Sequence, residues 1–126
     1  MDHPQNFIRI IKSTHRIVCG VNVITFRDKD TKQFVKYIPA LEITGYGDTP
    51  IQANEMLNFC IDDFFKYIIK LSPKKLNAQL YNLGWRMNKF DHKEYSNTFV
   101  DTDGKLNNFN AEENSVEIGH LELENG

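Results

Sequence analysis

Residues 37–53, Tyr-Ile-Pro-Ala-Leu-Glu-Ile-Thr-Gly-Tyr-Gly-Asp-Thr-Pro-Ile-Gln-Ala, constrain the fold more than any other stretch. They read as a strand, a turn at Pro39, a second strand, a glycine break and a helix start. Thr49 is placed to act as N-cap, its hydroxyl accepting the N–H of Gln52. Pro50 takes the first helical position, where a missing N–H costs nothing. Gln52 stands three residues after the cap and can reach back, as in a capping box. Gly45 and Gly47 flank Tyr46 and permit a turn that side chains would obstruct.

On either side, the patterns extend this junction. Residues 16–27, rich in Val, Ile, Thr and Phe, predict a long strand. Asp28 to Thr31 are a polar turn, Phe34 to Ile38 the returning strand, and Ile43 to Tyr46 a short third strand. Pro39 cannot donate to a ladder and marks the strand's end. From Pro50 a helix should run to about Leu71. Its apolar face is Ala53, Met56, Leu57, Cys60, Ile61, Phe64, Ile68 and Leu71, in steps of three and four. Ser72-Pro73 repeats the cap-plus-proline signal, and Leu76, Leu80 and Leu83 stripe a second helix that Gly84 ends. Trp85 to Met87 fit a brief further strand. Residues 7–12 are an amphipathic fragment of either type.

Charge divides the chain. Its 126 residues carry a net charge of −2, enough chain for one domain. Residues 1–100 hold 14 Lys and Arg against 10 acids, whereas residues 101–126 hold seven acids against Lys105 alone. The most basic segment, 64–93, has Lys66, Lys70, Lys74, Lys75, Arg86, Lys89 and Lys93 against Asp91. Residues 101–114 are polar and predict a linker or disordered segment. Val116 to Leu123 alternate like a strand, with a phase slip at Gly119-His120 that suggests a bulge. The organisation expected is therefore an α+β domain over 1–100 and an acidic, largely extended or disordered tail over 101–126. The fold expected is a three-stranded antiparallel sheet, one long helix packed on one face and a short second helix.

Several chemistries find no pattern here. There is no phosphate loop, nucleophile elbow or paired-cysteine motif, and the four histidines share no metal-ligand spacing. Asp62 and Asp63 adjoin on the helix and point about 100° apart, which suits a solvated face rather than a carboxylate pair. No catalytic residue, metal ligand or cofactor is therefore assigned. Cys19 and Cys60 fit buried free thiols in a reducing cytoplasm better than a disulfide, and the sequence leaves a bridge between them open. No apolar run is long enough to span a membrane, and the N-terminus lacks a signal-peptide pattern.

The strand–turn–helix junction resembles the HicB-like antitoxins of bacterial toxin–antitoxin pairs. That family carries Y-x-A-x-x-P-x-L near the end of its second strand and G-D-T-x-x-E-A at its helix start. Tyr37 or Phe34, Pro39 and Leu41 match the first motif; Gly47-Asp48-Thr49 and Ala53 match the second. The family's P-G-C is replaced by Glu42-Ile43-Thr44, the spacing is one residue short, and Gln52 stands for the glutamate. The match covers roughly residues 15–70. It implies a non-catalytic protein that neutralises a small, basic, mRNA-cleaving HicA-like toxin. The partner-binding candidates are Glu117, Glu122 and Glu124, acids able to oppose cations that otherwise hold phosphate. The family's C-terminal DNA-binding motif has no counterpart in residues 90–126, and an oligomer is left open. The alternative is an RNA-binding module using Lys74, Lys75, Trp85 and Arg86, where cations interleave with aromatics. Against it, aromatics are more often buried than stacked on bases.

Overall fold

The computed structural model describes residues 6–97, 111–113 and 115–125. The chain is α+β, but the sheet has seven strands, not three. In chain order the elements are β1 (Asn6–Ile11), β2 (Arg16–Arg27), β3 (Phe34–Ile38), β4 (Ile43–Gly47), α1 (Pro50–Ile69), α2 (Pro73–Asn82), β5 (Arg86–Met87), β6 (Glu94–Asn97) and β7 (Glu117–Asn125). Every strand pairing is antiparallel. The expected three-strand unit is present as β2–β3–β4. It is enlarged by β1, β5 and β6 on one wing and by β7 along β2.

β2 is the hub, and its twelve residues explain how it serves three neighbours. Residues 16–20 pair with β1, residues 24–27 with β3, and residues 17–25 with β7. Residues 17–20 thus have β1 and β7 on opposite sides, and residues 24 and 25 have β3 and β7. It follows that β7 fills one edge of β2 while β1 and β3 lie end to end along the other. Between their ends, the Asn6 side chain accepts the Asn22 N–H, at 2.8 Å. Asn6 is buried and donates in turn to the Asn97 carbonyl, and the Asn97 amide donates to the Leu83 carbonyl. Buried polar groups need such partners, since an unmet one costs about 1–3 kcal/mol.

The helices pack on one face of this forked sheet. Ile8 and Ile10 of β1, Ile17, Cys19, Val21 and Val23 of β2, and Tyr95 of β6 meet Leu57, Ile61, Phe65 and Ile68 of α1 and Leu76 and Leu80 of α2. Burying each large aliphatic or aromatic side chain contributes roughly 1.5–3 kcal/mol. The helix face differs by one position from the expected one: Phe65 is 1% exposed and Phe64 only half-buried. The helix also ends at Ile69 rather than near Leu71.

The start of α1 follows the predicted chemistry. The Thr49 hydroxyl accepts the Gln52 N–H at 3.1 Å, and the Gln52 side chain reaches back to the Asp48 N–H at 2.9 Å. A Cβ at Gly45 would lie 2.5 Å from the Ala53 carbonyl oxygen and 2.6 Å from the Leu57 nitrogen. The backbones of β4 and α1 therefore touch, and no side chain fits at 45 without displacing the helix. One turn runs against residue preference: Glu42 holds φ at +54°. This left-handed conformation costs a non-glycine residue roughly 1–2 kcal/mol. Glu42→Gly is expected to raise stability by up to about 1 kcal/mol, allowing for the extra freedom glycine gives the unfolded chain. Urea unfolding checks this; a lower midpoint would mean the Glu42 side chain itself stabilises the turn.

The acidic end of the chain is not a loose extension where it is described. Residues 117–125 run against β2 in one unbroken register, Thr25↔Glu117 to Ile17↔Asn125, so the bulge expected at Gly119-His120 is absent. Residues 101–110 and 114, which belong to the linker expected there, lie outside the described residues. Cys19 and Cys60 are free, and burial pushes the Cys19 thiol up to about 12. No described helix is long and apolar enough to cross a membrane.

Candidate interaction surface

β7 presents its side chains alternately to the two faces of the sheet. Glu117, Gly119, Leu121 and Leu123 share the helix-bearing face with their partners Thr25, Val23, Val21 and Cys19. Ile118, His120, Glu122 and Glu124 share the other face with Ile24, Asn22, Gly20 and Val18. The three glutamates singled out in the sequence are therefore split. Glu122 and Glu124 lie two residues apart on one face, and Glu117 stands on the opposite one. All three are exposed. Glu124 also forms an ion pair with Arg16.

The segment before β7 is clamped to the β2–β3 end of the sheet. The Glu112 N–H donates to the Arg27 carbonyl at 2.7 Å, and Ser115 Oγ accepts the Arg27 N–H at 3.2 Å. The Glu112 carboxylate bridges Lys32 Nζ at 3.0 Å and Arg27 Nε at 3.4 Å. Between this segment, β3 and the start of α1 lies an open cleft of about 750 Å³ lined by Phe26, Arg27, Phe34, Lys36, Glu112 and Glu117. Charges of both signs meet in it.

The face opposite the helices holds Phe7, Val18, Val35, Tyr37 and Ile118 half-buried, with Tyr46 50% exposed. Two of its cations are matched: Arg9 pairs with Asp91 and Glu94, and Arg16 with Glu124. The Arg9 side chain, with the Lys93 N–H, holds the Asp91 carboxyl below its ordinary range. His120, one of the four histidines without metal-ligand spacing, is half-buried. Its Nδ1 lies 3.0 Å from Asn22 Oδ1, a link between β7 and the hub. No local sequence signal marks it, because its partner is 98 residues away.

Of the alternative RNA-binding set, Lys74, Lys75 and Arg86 are exposed and Trp85 is not. Trp85 is 1% exposed and donates its indole N–H to the Ala40 carbonyl at 2.8 Å. It is a core residue, so no base can stack on it. Arg86 lies over the Tyr81 ring, 3.8 Å from its centroid, and donates to the carbonyls of Tyr81 and Trp85. Lys74 and Lys75 are exposed on the first turn of α2. Among the described residues no group of three His, Cys, Asp or Glu side chains is placed to hold a metal ion. No protein-family model, no curated protein and no solved structure matches the chain.

Proposed function

We propose that this chain is a non-catalytic, cytoplasmic binding protein of the HicB-antitoxin type, which neutralises a small basic mRNA-cleaving protein. The observation that supports the reading is that the acidic end lies on a strand of the sheet, Glu122 and Glu124 on one face and Glu117 on the other. Glu117, Glu122 and Glu124 sit exposed on a strand laid along the hub of the sheet. Fixed charges of one sign raise the encounter rate with a complementary surface and cost little ordering on binding. The β2–β3–β4 meander followed by the capped helix α1 agrees with the motif resemblance around Pro39, Leu41 and Gly47-Asp48-Thr49. The buried Trp85 weighs against the RNA-binding alternative.

The test is inhibition of mRNA cleavage by the product of the neighbouring open reading frame. The full chain should suppress cleavage at near-stoichiometric amounts and should not itself retain RNA. Tight RNA binding by the chain alone, without suppression, would overturn the reading in favour of the alternative.

A further inference from the structure

β7 is the longest open strand edge among the described residues: nine residues pair with β2 on one side and with no described strand on the other. The other open edges, at β4 and β5, are five and two residues long. A row of free N–H and C=O groups of that length is a template for another strand. Acidic side chains usually guard such an edge, so the positions of Glu117, Glu122 and Glu124 decide what can pair with it.

We infer that β7 pairs antiparallel with β7 of a second copy of this chain, about a two-fold axis through Leu121. Directly opposed residues in an antiparallel pair share a face, so a two-fold perpendicular to the sheet must pass through a residue rather than between two. Centring on Glu122 would set Glu122 against itself. Centring on Leu123 would set Glu122 against Glu124. Centring on His120 would oppose the two histidines and leave the last two residues unpaired. Centring on Leu121 pairs all nine. It places Glu117 opposite Asn125, Ile118 opposite Glu124, Gly119 opposite Leu123 and His120 opposite Glu122. No like charges stand directly opposite each other, and the His120 ring does not enter the seam: it is turned back over β2, onto Asn22 and Gly20.

The helix-bearing side of the edge is shaped for the same register. Leu121 and Leu123 are only half-buried there, at the margin of the core. A Cβ added to Gly119 would meet nothing within 4 Å. A groove of about 180 Å³ runs there between Leu57 of α1 and Gly119 and Leu121 of β7. In the two-fold pair, Leu121 meets Leu121 of the second copy, and Leu123 enters the space that Gly119 leaves. The result is one continuous sheet with all helices on one side. This goes beyond the proposed toxin binding and is tested on the chain alone.

Sedimentation of the full chain from low to high micromolar concentration should show a monomer–dimer equilibrium. The Asn22 N–H turns away from β7, so in this antiparallel pair Glu122 directs its own N–H outward. Glu122→Pro removes that donor and puts a ring where the second copy would lie. It should raise the dimer dissociation constant by roughly tenfold. Glu122 is exposed on an edge strand, where proline is tolerated, so circular dichroism should report an unchanged monomer. In a Cys60→Ser background, Leu121→Cys should form an intermolecular disulfide on mild oxidation, because opposed Cα atoms lie within bridging distance. Glu122→Cys, facing His120, should not. A wild-type chain that stays monomeric throughout overturns the inference. So does a dimer indifferent to Glu122→Pro, or cross-linking equal in the two cysteine variants.

Discussion

Deleting residues 112–126 is expected to unfold the domain or leave it only partly structured. The deletion strips a nine-residue partner from β2, the strand on which both wings of the sheet depend. Ladder hydrogen bonds contribute roughly 0.5–1.5 kcal/mol each, and Cys19, Val21, Val23 and Ile24, all buried, would lose cover along that edge. Together these losses approach the roughly 5–15 kcal/mol that holds a domain folded. The charge pattern alone suggests the opposite, a dispensable tail whose removal leaves the fold intact. Circular dichroism and urea unfolding of the truncated chain decide between them. A truncated chain with the full-length unfolding midpoint would show that β7 adds nothing to the core. This also makes truncation a poor probe of function, since lost binding would report lost structure.

The second large effect lies at Trp85. Trp85→Ala should cost about 3–5 kcal/mol through the cavity it leaves. A further part arises because the Ala40 carbonyl loses its indole donor in a buried site. Trp85→Phe separates the two contributions. It keeps much of the apolar volume and loses the hydrogen bond, so its cost should be clearly smaller. Urea denaturation of both variants gives the values. If Trp85→Ala cost less than about 1 kcal/mol, the ring would not be the core residue described, and a surface role would return.

These expectations also mark how far the sequence alone reaches. Thr49, Pro50 and Gln52 announce the helix start because a cap is a matter of three adjacent residues. β2, β3 and β4 are legible for the same reason: adjacent strands separated by polar turns. Phe64 and Phe65 are another matter. Both fit a helical stripe, and only the 53, 57, 61, 65, 68 series that packs on the sheet selects Phe65. Likewise the apparent slip at Gly119-His120 is no bulge. Ile118 and His120 are half-buried on one face, and Leu121 and Leu123 on the other, so both faces carry partly buried residues and the alternation blurs. The size of the sheet was beyond reach because β6 and β7 pair with strands some 85 to 110 residues earlier. In the candidate site, the glutamates were visible as charge, but their division between two faces depends on register. Trp85 was visible as an aromatic among cations, and only the fold shows that it points inward.

The central claim is that the exposed acids of β7 steer the chain onto a basic partner. The most direct measurement is binding kinetics of the full chain with the neighbouring gene's product at low and high salt. It compares the native sequence with a Glu117→Gln, Glu122→Gln, Glu124→Gln triple variant, whose fold should hold because all three side chains are exposed. The variant should associate more slowly at low salt, with a small change in dissociation rate and a difference that shrinks as salt screens the charges. Equal association rates for the two proteins at low salt would contradict it.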